Sequence, residues 1–252
     1  MLSKLLKYEI KATARIVLPL YIVLFSFAII NRFISSLSTL KWQVPEVISM
    51  IVYITILVGM FVVTFVMMIQ RFYKNLLTDE GYLMFTLPTK PWKHIISKLL
   101  VAMMWVAASG IAAYISILLI ISNRAFIVIT TDFMNFIREI FALFGGSAVF
   151  YILEFLLISI ISLASGVLII YASIATGHLF NQHRILASVG AFIALSTFTQ
   201  IFFVVVTIFL NSVYISQQHY TFNDFQSIAT YIHGGIWLYI FFTGLLAAGY
   251  FI

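Results

Sequence analysis

Six stretches of this chain, at residues 16–34, 47–69, 95–122, 147–176, 185–210 and 235–252, run with almost no charge. Each is about 18 residues or longer, the length that crosses a bilayer as a helix. In lipid every backbone N–H and C=O must be satisfied within the chain, which leaves helices and closed barrels. Barrel strands alternate polar and apolar residues over segments of about ten, whereas these runs are continuous, so the pattern selects helices. Composition agrees: 63% of the residues are hydrophobic and 9% charged, where a soluble domain is about a quarter charged. The expected fold class is therefore all-α, a polytopic membrane protein forming one transmembrane domain over residues 1–252. The third and fourth runs exceed what a span needs, which predicts tilt or an extension outside the bilayer.

Lys and Arg set the orientation. Lys4, Lys7, Lys11 and Arg15 precede the first span, Arg71, Lys74, Lys90, Lys93 and Lys98 follow the second, and Arg184 follows the fourth, ten in all. The opposite side holds four: Arg32, Lys41, Arg124 and Arg138. The excess predicts a cytoplasmic N-terminus, and six spans return the C-terminus to the same side. The last run stops at Ile252 without the basic anchor expected there. The first run is too long for a signal h-region and lacks an A-x-A site, so an uncleaved span is expected. The basic excess suits anionic lipid; no soluble basic domain is present to hold nucleic acid. Cysteine is absent, which excludes disulfides and thiolate chemistry.

Two cytoplasmic segments stand out. In residues 1–15, Lys4, Lys7, Lys11 and Arg15 recur at spacings of three and four, opposite Leu2, Leu5, Leu6, Ile10 and Thr13. That predicts an interfacial amphipathic helix with its cations over lipid phosphates; an orientation signal alone is the plainer alternative, and both can hold. The second segment, residues 70–94, holds Asp79, Glu80, Gly81, Tyr82, Leu83, Met84, Phe85 and Pro88. Apolar side chains in a water-facing loop need a cover, either neighbouring spans or a partner. Gly81 permits a sharp turn after a helix ending near Thr78. Thr89 and Pro91 suit the cap and first turn of the third span.

The run Leu77-Thr78-Asp79-Glu80-Gly81-Tyr82-Leu83-Met84-Phe85-Thr86-Leu87-Pro88, followed by Ile96-Ser97-Lys98-Leu99-Leu100, resembles the second cytoplasmic segment of bacterial type-2 ABC exporter permeases. The likeness is strongest to the small stand-alone permeases of Gram-positive bacteria. It implies six spans, an N-terminal interfacial helix, and a coupling helix between spans two and three that docks on a separate nucleotide-binding ATPase subunit. Carried over residue by residue, Asp79, Glu80, Gly81, Tyr82, Phe85 and Pro88 become the docking surface. The resemblance also implies a bacterial plasma membrane, alternating access and a second permease copy or related permease. The chain has no G-x-x-x-x-G-K-[ST] loop, so it is not expected to hold the nucleotide, and no cofactor is expected on this chain. ATP and Mg belong to the partner, and the chain is not expected to be an enzyme. The basic C-terminal tail often seen in such permeases is missing.

Within the spans, Ser159, Ser162, Gly166, Ser173 and Gly177 share one helical face. That stripe suits close packing, within the subunit or across a dimer. Glu154 is the only acidic residue of the fourth span, and an intramembrane carboxylate is a gating or substrate candidate; hydration or pairing with Arg138 is the plainer alternative. Asp132 is expected to cap a surface helix lined by Phe133, Phe136, Ile137, Ile140, Phe141 and Phe144. The aromatic loop 211–234 reads as an interfacial belt or an exit gate. His178 and His183, five apart without a carboxylate, are poor metal ligands, and no metal site is expected.

The rival functions are a self-contained intramembrane enzyme and an ion-coupled transporter. The first needs convergent acids, bases or metal ligands, and the spans offer Glu154 with scattered Ser and Thr. The second usually carries several intramembrane ionisable groups or broken helices, and Pro19 is the one proline inside a span. An interior rich in Phe and Met suits an amphipathic peptide or drug-like cargo, although the same residues also suit lipid.

Overall fold

The computed structural model describes residues 2–37, 44–76, 91–121, 123–180, 182–217 and 225–251. Among them the chain forms seven α-helices and no strand: α1 (Leu2–Leu37), α2 (Val44–Leu76), α3 (Pro91–Ile120), α4 (Asn123–Phe144), α5 (Ala148–Gly177), α6 (Arg184–Gln217) and α7 (Phe225–Phe251). A 3-10 turn, Gly145–Ser147, joins α4 to α5. Its Gly145 has φ +56°, a backbone region that side-chain-bearing residues rarely enter.

Six candidate membrane spans lie among the described residues, at Leu2–Ser35, Val44–Lys74, Trp92–Ile120, Ala125–Gly177, Arg184–Phe209 and Gly234–Phe251. The chain is an all-α polytopic membrane protein, as the apolar runs predicted. Its helices bury few apolar side chains and leave many exposed, among them Ile22, Phe155, Ile193 and Phe241; lipid is the solvent for which such surfaces are suited.

Two expectations need correction. Residues 1–15 do not form an element of their own, because α1 runs unbroken from Leu2 to Leu37. Charge ends at Arg15, but nothing there breaks a helix. Pro19, which lacks the N–H for the Arg15 carbonyl, is carried inside the helix. Likewise α4 already runs from Asn123, so Asp132 sits mid-helix and caps nothing. Pro91, in contrast, opens α3, the first-turn position where its missing N–H leaves no bond unmade.

The described chain divides into two compact units, Met1–Gly145 and Gly146–Ile252. In the first, α1 packs on α2 and α3, and α2 on α3. Leu24, Ala28, Tyr53, Met60 and Ala113 form one buried cluster, and Val17, Met67, Val101 and Trp105 another. In the second unit α5 is central and packs on both α6 and α7. A Cβ added at Gly177 would lie 2.0 Å from Ser188 Oγ and 2.6 Å from the Ser188 backbone nitrogen, so α5 and α6 approach closely there because residue 177 has no side chain. Rings join α6 to α7: Phe202 meets Phe242 edge-on at 5.5 Å and Phe203 stacks on Tyr239 at 4.9 Å.

Candidate functional site

The first four turns of α1 divide as the spacing predicted. Lys4, Lys7, Lys11 and Arg15 are exposed, whereas Leu2, Leu5, Leu6 and Ile10 are half-buried and Thr13 is buried. At about 100° per residue, Glu9 falls opposite those cations, in the middle of the apolar face. That position would strand a carboxylate unless another helix supplied a cation, and α3 does. Lys98 Nζ lies 2.8 Å from Glu9 Oε1, with the two side chains 3% and 11% exposed.

Around this ion pair a polar cluster closes. His94, one turn before Lys98, is 1% exposed. Ser97 Oγ donates to the His94 carbonyl at 2.8 Å. One turn along α1, the Thr13 hydroxyl donates to the Glu9 carbonyl at 2.8 Å and accepts from Trp105 Nε1 at 2.7 Å. A buried indole N–H and a buried hydroxyl thus satisfy each other, as groups removed from water must.

The cluster is the first rung of a ladder. Tyr21 OH and Ser109 Oγ share a hydrogen bond of 2.9 Å, and Thr64 Oγ1 meets Ser109 Oγ at 3.2 Å. Tyr53 OH and Ser116 Oγ share another at 2.8 Å. Asn31 and Ser49 bond reciprocally: Asn31 Nδ2 donates to the Ser49 carbonyl at 3.0 Å and Ser49 Oγ donates to Asn31 Oδ1 at 2.7 Å. Arg32 Nη1 donates to the Leu119 carbonyl at 2.9 Å, a cation on the C-terminal carbonyls of α3. Residue numbers rise together along the α1–α3 pairs, so those helices run parallel. They run oppositely where α2 meets either partner. An up-down-up bundle of this kind is what three successive membrane crossings produce.

Chain order alone does not announce this cluster. Lys98 belongs to the basic excess that sets orientation, and it is also buried and paired. The available signal was Glu9, the one carboxylate in the first 45 residues, set on the wrong face of an amphipathic helix.

The proposed docking residues, Asp79, Glu80, Gly81, Tyr82, Phe85 and Pro88, lie outside the described residues, as does Thr89. The helices on either side are described: α2 ends at Leu76 and α3 begins at Pro91, and Lys98 lies two turns into α3. Glu154 belongs to the other unit, on the second turn of α5, and is 4% exposed. Of the small-residue stripe, Ser173 and Gly177 are buried and Gly166 is exposed, so its Gly177 end is packing within the chain. His183 lies at the start of α6 with φ 58°, and its carbonyl accepts the Ala187 N–H at 2.9 Å. Among the described residues no three His, Cys, Asp or Glu side chains are grouped to hold a metal.

No family model, no curated protein and no solved structure matches the chain.

Proposed function

We propose that the chain is the membrane-spanning permease subunit of an ATP-driven ABC exporter in a bacterial plasma membrane, with its N-terminus in the cytoplasm. Two further chains complete the machine, a nucleotide-binding ATPase subunit and a second or related permease, and the cargo is an amphipathic peptide or drug-like molecule. The reading is supported by the six spans, the basic N-terminal face and the run Asp79-Glu80-Gly81-Tyr82 between α2 and α3. The observation that carries it furthest is the Glu9–Lys98 ion pair. A permease driven from outside must turn a push on a short cytoplasmic segment into movement of whole helices. Any displacement of residues 77–90 is applied to the ends of α2 and α3. Two turns into α3, the ion pair and the Thr13–Trp105 bond fasten that helix to α1, so the push is shared by three helices rather than bending one.

In this reading ATP and Mg stay on the partner, which closes on nucleotide and reopens after hydrolysis. This chain binds the partner, moves, and alternates the access of a pathway that both permeases line. Lys4, Lys7, Lys11 and Arg15 hold the cytoplasmic end of α1 against anionic headgroups while α3 is displaced, and Glu154 is the candidate for a gating or substrate contact. The test is gentle extraction from host membranes with mass spectrometry of every co-purifying chain. A stoichiometric soluble ATPase is expected, and it is expected to be lost when Asp79, Glu80 and Tyr82 are together replaced by Ala. A chain that emerges alone, even after mild cross-linking, would overturn the proposal.

A further inference from the structure

From its residue pattern, we infer that α4 does not cross the membrane but lies flat in the lipid interface, on the face opposite the basic N-terminus, with lipid acyl chains covering its aromatic side. At about 100° per residue, Thr131, Asp132, Asn135, Arg138 and Glu139 fall within an arc of about 120°. Phe126, Ile129, Phe133, Phe136, Ile137, Ile140 and Phe144 fall within a second arc of similar width on the other side. Both arcs are open: Phe133 and Phe136 are 60% and 57% exposed, and Asp132, Asn135, Arg138 and Glu139 are exposed as well. Thr130, at the edge of the apolar arc, turns its hydroxyl back on the helix and donates to the Phe126 carbonyl at 2.9 Å, so that hydroxyl is met within the helix.

The helical stretch Ala125–Gly177 that holds the fourth candidate span is 53 residues long, far beyond the ~20 that one crossing takes. The 30 residues of α5, at 1.5 Å each roughly 45 Å, cross unaided and carry one carboxylate, Glu154. A crossing by α4 would instead draw Asp132, Arg138 and Glu139 toward mid-bilayer, where ionisable groups are strongly disfavoured. Lying flat, the helix keeps them at the headgroups. There a stripe of both signs complements zwitterionic lipid, and the rings sink about 5–10 Å toward the acyl chains. After three crossings by α1, α2 and α3, α4 starts on the side away from the N-terminus. The inference needs the membrane-spanning fold and is independent of the exporter proposal.

Depth measurement tests it, and the cysteine-free sequence makes labelling clean. The full chain is reconstituted in vesicles of phosphatidylethanolamine and phosphatidylglycerol with one spin label at a time, at Phe126→Cys, Phe133→Cys and Ile140→Cys on the apolar arc, and at Asn135→Cys and Ala142→Cys on the polar arc. Collision rates with oxygen and with a water-soluble nickel chelate give the depth of each label. A flat helix is expected to place the three apolar positions at one shallow depth, within a few Å of each other, and the two polar positions in water. A crossing helix would sweep about 21 Å over those 14 residues, which would overturn the inference. Apolar positions shielded from both reagents would overturn it equally, because a protein partner rather than lipid would then cover them. Loss of the ATPase partner would leave these depths unchanged, so the two proposals fail separately.

Discussion

The two units of this chain face the same difficulty and meet it differently. Between helices in lipid there is no hydrophobic drive, because acyl chains are as apolar as Leu, so association rests on close packing and interhelical hydrogen bonds. The unit Met1–Gly145 relies on directional polar links: Glu9–Lys98, Thr13–Trp105, Tyr21–Ser109, Tyr53–Ser116 and Asn31–Ser49. The unit Gly146–Ile252 relies on the close approach at Gly177 and on rings between α6 and α7, with one described hydroxyl link there, Thr199 to Tyr250. A bond of 2.7–2.9 Å fixes the register of two helices, since a slide of one turn breaks it. Stacked rings tolerate small slides with little loss. The first unit therefore sets the register of its helices by several directional bonds, and the second rests more on close packing and ring contacts.

Breaking the ion pair should give the largest effect. Lys98→Met leaves the buried Glu9 carboxylate without its lysine, a change worth about 3–5 kcal/mol where one partner of a buried pair is removed. Thermal unfolding in detergent should show a large fall in Tm. Glu9→Leu with Lys98→Met should recover most of it, because two apolar residues then face each other. In the exporter reading, the double variant should also release less transport per ATP than wild type, since α1 and α3 would be held without a directional bond. Additive losses in the double variant would mean that the pair is not what joins α1 to α3.

Next comes the contact on which the second unit depends. Gly177→Ala puts a methyl group where the Ser188 backbone stands 2.6 Å away, and forced overpacking costs about 1–3 kcal/mol. Ser188→Ala should not rescue it, because the clash involves backbone. Gly166→Ala lies on the same helix with nothing within 4 Å of the new carbon. It should be neutral or stabilising, by up to about 1 kcal/mol from helix propensity. Equal losses at the two glycines, read by the same unfolding assay, would show that the whole stripe is a packed interface, Gly166 included.

These contrasts also explain what the sequence could and could not say. The spans were legible because a bilayer imposes a length and an apolar composition that no local accident imitates. The start of α3 was legible at Pro91, whose missing N–H suits a first turn. The continuity of α1 was not, because the run of cations stops at Arg15, while helices end at breakers and not at a change of charge. Asp132 misled for a related reason: Asp before an apolar run is a cap signal, but the helix already in progress from Asn123 overrides it. The Glu9–Lys98 pair joins residues 89 apart, and their meeting is settled by how α1 packs on α3. The sequence did place Glu9 opposite the cations, which was enough to ask for a partner but not to name it.

The ring contacts give a smaller effect. Phe203 stacks on Tyr239 at 4.9 Å, and such pairs add roughly 0.5–1.5 kcal/mol beyond area burial. A double-mutant cycle with Phe203→Leu and Tyr239→Leu should return a coupling in that range. A value near zero would mean that area burial and Gly177 account for the second unit without help from ring geometry.

The finest distinction lies at Thr13 and Trp105. Their 2.7 Å bond is short and buried, yet interhelical hydrogen bonds in membrane proteins average about 0.6 kcal/mol in double-mutant cycles, because helices separated in lipid find other polar partners. Thr13→Val with Trp105→Phe should therefore couple by about 0.6 kcal/mol, no more than the rings of the second unit. The polar ladder would then differ from the ring contacts in directionality rather than strength, which is what the exporter proposal asks of a body that passes a push from helix to helix. A coupling of about 2 kcal/mol or more, above the membrane-protein range, would break that account. It would make the first unit the stronger of the two as well as the more rigid, and hydrogen exchange should then be slower in α1 and α3 than in α6 and α7.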